Sequence, residues 1–246
     1  MKKYLVALFI AVFAISGVAQ TKSDDKNKDS KVEAKTENAL LELANATLKA
    51  HGGDSFKNMK SLTIIGSVDV TPSNFPQKIP ATFVTIFAGD KYRFELNNPF
   101  QPIKQVFDGK ETFSNVQGGF ELPPVNRLGF PVIQKIGDKD FAVSGLADDK
   151  EFKKGFRITS PEGYYTDFYI DKKTGLVKSY NSSYVINGNN VTTSVEIDKM
   201  RTVDGVVIPE RYAQRFDLGQ LTVYADFKAK EIVVNKEIAD DIFILK

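Results

Sequence analysis

A single histidine and a complete lack of cysteine limit the chemistry open to this 246-residue chain. His51 sits at the end of a helical stretch, where a cationic ring suits the negative end of the helix dipole. With no second imidazole and no thiolate, a transition-metal site would have to be almost wholly carboxylate. The acidic pairs Asp24-Asp25, Asp148-Asp149 and Asp240-Asp241 fall in tails or turns. None shows the alternating oxygen ligands and closing Glu of a calcium loop. Two carboxylates can cleave a glycosidic bond unaided, but any chain of this size offers such pairs. Gly52-Gly53 and Gly118-Gly119 are not followed by the Lys-Ser/Thr of a phosphate loop. The expectation is a protein that is not an enzyme and carries no cofactor and no metal.

Aromatic side chains are what remains: 19 Phe and 9 Tyr, with no Trp. Tyr92 and Phe94, followed by Leu96, alternate along one strand, and Tyr180 and Tyr184 share a face of another. The segment Gly118 to Gly137 is apolar, holds three prolines and has no alternation. Val125, Leu128, Val132, Ile133 and Ile136 fit helical spacing there, and Pro131 suits the first turn of a short helix. The expected ligand site is therefore an apolar cavity walled by Tyr92, Phe94, Leu96, Tyr180 and Tyr184. Phe130 and Ile133 close over it as part of a movable cover. Such a cavity suits acyl chains, which gain about 0.8 kcal/mol per buried methylene and need little directional bonding.

These residues must be held by a larger frame. Met1-Lys2-Lys3, the apolar run Leu5 to Ile15 and the small residues Gly17 and Ala19 have the three parts of a secretory signal. Cleavage is expected near Ala19, giving an exported, periplasmic protein with no transmembrane anchor. Without cysteine it is not a lipoprotein. The chain has 33 basic and 31 acidic residues, and loss of Lys2 and Lys3 with the leader balances them. A neutral chain has no broad attraction for polyanions, so no nucleic-acid partner is expected.

Residues 20–36 are dense in both charge signs and read as a disordered charged tether. From Glu37 to His51 an amphipathic helix is expected, with Thr36 as N-cap, an apolar stripe of Leu40, Leu41, Ala44 and Leu48 widened by Leu43, and Gly52-Gly53 as stop. Beyond it, alternating runs joined by Gly89-Asp90, Asp108-Gly109, Lys173-Thr174-Gly175 and Asn187-Gly188 predict antiparallel neighbours, because parallel pairing needs long crossovers. The fold class is mainly β (α+β). It is a single curved antiparallel sheet, or half-open barrel, of about ten strands with the N-terminal helix on its concave face. The domain plan is 1–19 signal peptide, 20–36 tether and 37–246 one domain.

Several stretches resemble the LolA/LolB-like periplasmic lipoprotein carriers and their outer-membrane lipoprotein-sorting relatives. They are His51-Gly52-Gly53 with Phe56 to Leu62, Lys91 to Leu96, Phe107 to Phe113, Ile170 to Leu176 and Val203 to Pro209. Their order and spacing cover Leu40 to Phe243. The resemblance implies a half-barrel holding a lipid or the acyl chains of an acylated lipoprotein, with transfer partners at the inner or outer membrane and no catalysis. The chain departs from the carriers in lacking tryptophan. Arg93 lies in the kind of strand that carries their ligand-gating arginine, but alternation puts it opposite Tyr92 and Phe94. The expected function is a periplasmic lipid carrier or sensor. The alternative is a cavity-free cell-envelope interaction module.

Overall fold

A computed structural model describes residues 25–75, 77–100, 102–115, 125–147, 154–186, 189–218 and 221–244. The expected signal peptide, the Gly118 end of the expected cover and the pair Asp148-Asp149 lie outside these residues. Contacts divide the chain into the units Met1–Lys35 and Thr36–Lys246. The second unit carries the sheet and the cavity.

Helix α1 spans Asp25–Ala50 and a single turn, α2, spans Asp54–Lys57. The helix thus starts at Asp25, within the stretch expected to be a disordered tether, and Thr36 is not its N-cap. Residues 26–35 hold four lysines with Glu33 and Ala34, all good helix formers, so propensity supports the helix where no apolar stripe does. In its later turns Leu40, Ala44 and Thr47 are buried, while Leu43 and Leu48 pack from the side. Leu41, expected in the stripe, is 42% exposed. Helical positions 40, 44, 47 and 51 form one line, and 41 lies about 100° away from 40.

Twelve strands form one antiparallel sheet. They are β1 Ser61–Pro72, β2 Ile79–Ala88, β3 Lys91–Asn97, β4 Ile103–Phe107, β5 Thr112–Ser114, β6 Ala142–Ser144, β7 Gly155–Thr159, β8 Tyr165–Ile170, β9 Val177–Ile186, β10 Asn189–Val203, β11 Val206–Leu218 and β12 Leu221–Val234. The spatial order is β5-β4-β3-β2-β1-β12-β11-β10-β9-β8-β7-β6. Among the described residues the only break in sequence order is the β1–β12 junction, and β5 and β6 are the edges, so the sheet is open.

The count exceeds the expected ten or so because β5 and β6 are three-residue edges, too short for alternation to show. The expected runs Val206–Ile208 and Arg211–Phe216 are also one strand, passing through Pro209. Pro209 faces Met200 at an irregular step of β10, and pairing with β12 begins only at Arg211. A proline without an N–H is tolerated at such a place.

The sheet curls strongly. β3 and β9 lie six strand spacings apart in the sheet order, about 29 Å if it were flat. Yet Phe94 on β3 and Tyr180 on β9 line one cavity, and the Tyr92 and Tyr184 hydroxyls are close enough to influence each other. A bulge at Ile65/Gly66 contributes to the bend. There a Cβ on Gly66 would strike the Lys228 carbonyl and the Phe83 ring. Inside the curl, Leu40 and Ala44 of α1 join Leu62, Phe130, Ile133, Phe156, Phe168 and Ile208 in the main core. The helix therefore packs on the concave face.

Candidate functional site

The concave face retains a cavity of about 180 Å³. Its walls come from both arms of the curl: Ile64, Thr85, Phe87 and Phe94 on one side, Tyr180, Ser182, Tyr184 and Thr193 on the other. Tyr212, Gln214, Phe216 and Phe227 join them across the middle. Val125 to Pro131 supplies further wall through Leu128 and Phe130. Strand pairing explains the assembly. Ile64 faces Thr85, which in turn faces Phe94, so three strands present one row to the interior. Tyr212 pairs with Phe227 and their rings stack at 4.8 Å.

Four of the seven expected site residues meet here: Phe94, Phe130, Tyr180 and Tyr184. Three do not. Tyr92 is fully buried behind the wall, where it stacks on Phe107 and accepts a hydrogen bond from Gln105. Leu96 packs instead with a second cluster around Val68, Phe83 and Phe227. Ile133 is fully buried in the main core. Alternation put Tyr92 and Leu96 on the face of Phe94, but curvature decides which part of that face stays open. Thr85, Tyr212, Gln214, Phe216 and Phe227 were not anticipated, although the Arg211–Phe216 alternation already set Tyr212, Gln214 and Phe216 on a common face.

Among the described residues no charged side chain lines the cavity. Its polar groups are the hydroxyls of Thr85, Tyr180, Ser182, Tyr184, Thr193 and Tyr212 and the amide of Gln214. Burial pushes the phenols of Tyr180, Tyr184 and Tyr212 far above the ordinary value of 10. They are neutral donors at any physiological pH. The Tyr180 hydroxyl is held by the backbone of Phe130, and its ring lies against Gly129. Ser182 is bonded to Thr166 at 3.0 Å. The Tyr184 hydroxyl is buried without a hydrogen-bond partner, an arrangement that costs about 1–3 kcal/mol.

The expected cover forms two 3-10 helices, Val125–Arg127 and Phe130–Lys135. The second is firmly anchored. Gly129 donates its N–H to Thr166 Oγ1 at 2.9 Å, and the Gln134 amide donates to the Met59 carbonyl at 2.7 Å. Lys57 Nζ donates to the carbonyls of Gln134 and Ile136 at 2.8 and 2.7 Å and to Asp138 at 2.6 Å. Phe130, Val132 and Ile133 are buried. From Phe130 onward this segment is a plug built into the core, which corrects the expectation of a loose flap there.

Arg93 is on the convex face. It pairs with Glu95 and donates to the Ile242 carbonyl at 2.7 Å, fastening the C-terminal turn Asp240–Phe243. His51, expected as a cation suited to the helix dipole, is a neutral core residue. Its Nδ1 donates to the Val207 carbonyl at 2.8 Å and its Nε2 accepts the Val177 N–H at 3.0 Å. A carbonyl only accepts and an amide N–H only donates, so the tautomer is settled.

No family model matches the chain, and no curated protein matches it. Among solved structures it is similar to a LolA superfamily protein from Nitrosomonas europaea, with a TM-score of 0.51 over 85% of this chain and 98% of that one at 9% identity. The fold is LolA-like. Similarity extends to an outer-membrane lipoprotein-sorting protein domain from Vibrio parahaemolyticus, with TM-score 0.49, 11% identity and coverage of 84% and 97%. It extends also to a DUF1329 family protein from Desulfovibrio piger, with TM-score 0.47, 11% identity and coverage of 85% and 97%. At such identities the likeness concerns the LolA-like fold. Among the described residues no helix is long and apolar enough to cross a membrane.

Proposed function

We propose that the protein is a non-catalytic periplasmic carrier or sensor that binds an acyl chain in the concave cavity. One observation carries the reading: a cavity whose described lining is uncharged, mostly apolar and aromatic survives beside a helix and a plug inside the curl. A core that needed only to fold would close such a space, since each unfilled volume forfeits packing energy. The size sets what enters. A dry apolar cavity of about 150 Å³ admits a benzene ring. A volume of about 180 Å³ therefore takes a stretch of one chain, and a cargo with several chains requires the arms of the sheet to part. Phe94, Phe130, Tyr180 and Tyr184 are the proposed contacts, joined by Tyr212 and Phe227.

The test is native mass spectrometry of protein taken from its own cell envelope, with titration of the delipidated protein by a neutral apolar dye, N-phenylnaphthylamine. A lipid adduct and saturable dye fluorescence that the extracted lipid displaces are expected. A protein that carries no adduct and does not bind the dye would instead be a cavity-free interaction module.

A further inference from the structure

One side-chain amide stands in the described wall of the cavity, that of Gln214. Tyr212, Gln214 and Phe216 alternate along the inner face of β11 and all line the cavity, whereas Ala213 and Arg215 between them are exposed. Gln214 faces Val195 on β10 and Ala225 on β12, both buried. Neither offers a hydrogen-bonding side chain. Thr193 lies one row on, opposite Phe216, and does not bond the amide. Among the described residues the Gln214 carboxamide thus has no partner. It is also not sealed. Asn126 Oδ1, Ser160 Oγ and the Tyr184 hydroxyl are the buried polar side-chain atoms left without a partner among the described residues. The half-buried Gln214 amide is not one of them, so its Oε1 and Nε2 are open to the cavity.

Resting on the acyl-binding reading above, we propose that Gln214 anchors the uncharged carbonyl linkage of an acyl chain, donating through Nε2 to its oxygen, so that the cavity prefers esters and amides over free fatty acids. An accessible amide is hydrated, and a chain that enters the cavity displaces that water. A ligand that cannot restore the lost bond forfeits affinity. A pure hydrocarbon leaves the amide unpaired, whereas an ester or amide carbonyl takes the place of the water. A carboxylate is poorly served there. Among the described residues no lysine, arginine or histidine lines the cavity, and one neutral donor does not offset the desolvation of an ion. The wall around Gln214 suits the chain on either side of the linkage: Val195 and Ala225 across the sheet, Phe216 along β11, and the stacked rings of Tyr212 and Phe227.

The test uses the delipidated full protein with three fluorescent probes of one conjugated chain: the free acid, its methyl ester and the hydrocarbon without the carboxyl group, at about pH 8, where the acid is ionised. The ester is expected to bind at least about tenfold more tightly than the acid. Gln214→Leu places an apolar side chain between two apolar neighbours, so it should fold at least as stably as the parent and still bind the hydrocarbon. Its ratio of ester to hydrocarbon affinity should fall about three- to tenfold, the worth of one buried hydrogen bond. Gln214→Met, closer in shape to glutamine, should lower the ratio equally. The carbonyl stretch of isotope-labelled bound ester should sit at lower wavenumber in the parent than in either variant. Native mass spectrometry of the loaded protein separates the two sources of the linkage, a membrane lipid by an adduct of lipid mass and an acylated protein by an adduct of protein mass. Equal binding of acid and ester, or an unchanged ratio and carbonyl frequency in the variants, overturns the assignment while acyl binding stands. Failure of every probe and of the neutral dye removes the acyl-binding reading itself.

Discussion

His51 and Val207 are joined twice. The Val207 N–H donates to the His51 carbonyl at 3.0 Å, and the His51 Nδ1–H returns a bond to the Val207 carbonyl at 2.8 Å. One residue at the end of α1 thereby extends the edge of the β10–β11 hairpin, while its Nε2 holds the start of β9 through Val177. The neighbouring glycines fit this junction. Gly52 has φ 121°, and a Cβ there would strike the Gly205 carbonyl. Asp204 and Gly205 both take positive φ in the two-residue turn, as a type I′ hairpin demands.

The first prediction follows from that ring. Burial holds the His51 pKa below its ordinary 6.5. Above about pH 6.5 neither the folded nor the unfolded chain protonates it, and its contribution is complete. As pH falls through 6.5 the unfolded chain takes up a proton that the folded chain refuses, so stability declines until the lower folded-state pKa is reached. Urea unfolding between about pH 7.5 and pH 5 should show the decline. His51→Gln, which can donate and accept but does not titrate there, should flatten the curve in this window. The chain has no other histidine, so an undiminished slope in the variant would assign the effect elsewhere.

The helix offers a second comparison between neighbouring leucines. Leu40 is 6% exposed and packs in the main core, whereas Leu41 points outward. Leu40→Ala should cost about 2–5 kcal/mol by the lost burial and the cavity left behind. Leu41→Ala should stay within about 0.5 kcal/mol of the parent. Chemical denaturation of the pair decides whether the observed stripe, and not the broader expected one, is what holds α1 to the sheet.

Much of this frame is legible in the sequence. Alternation located the long strands, and their short turns required an antiparallel meander. Periodicity and capping cues failed at the helix start, since residues 26–35 carry helix formers but no apolar stripe. Pro209 split one strand into two because a proline ordinarily ends an alternating run, and the irregular step beside Met200 that tolerates it leaves no mark in the sequence. The cavity was legible only by face. Tyr92, Phe94 and Leu96 share a face of β3, yet only Phe94 reaches open space. The curl that separates them depends on partners many residues away, such as Lys228 at the Gly66 bulge.

Lys57 allows the plug to be tested as a plug. Its ammonium ties α2 to Gln134, Ile136 and Asp138. Lys57→Met keeps the aliphatic stem and removes all three bonds. With the side chain 29% exposed, solvent replaces part of the loss, and a cost of about 1–2 kcal/mol is expected. Hydrogen exchange should be slow across residues 132–136 in the parent, comparable with the central strands, and faster there in the variant. Fast exchange in the parent would restore the idea of a loose flap.

The cavity wall can be separated from the core by placing the same charge in each. Phe94 lines the cavity from β3, whereas Ile133 is fully buried among Phe56, Phe156 and Phe168 in the main cluster. Phe94→Asp places a carboxylate where it can draw in water from an open space. It should leave a folded protein whose affinity for the neutral dye falls by about tenfold or more, because the ligand must then desolvate an unpaired ion. Ile133→Asp has no such escape and should unfold the domain, as burial of an unpaired charge in a packed core commonly does. Circular dichroism and thermal melts separate the two outcomes before any binding is measured. A stable Ile133→Asp protein with lost binding would move the ligand site from the observed cavity to the plug, and a folded Phe94→Asp protein with parental affinity would take β3 out of the wall.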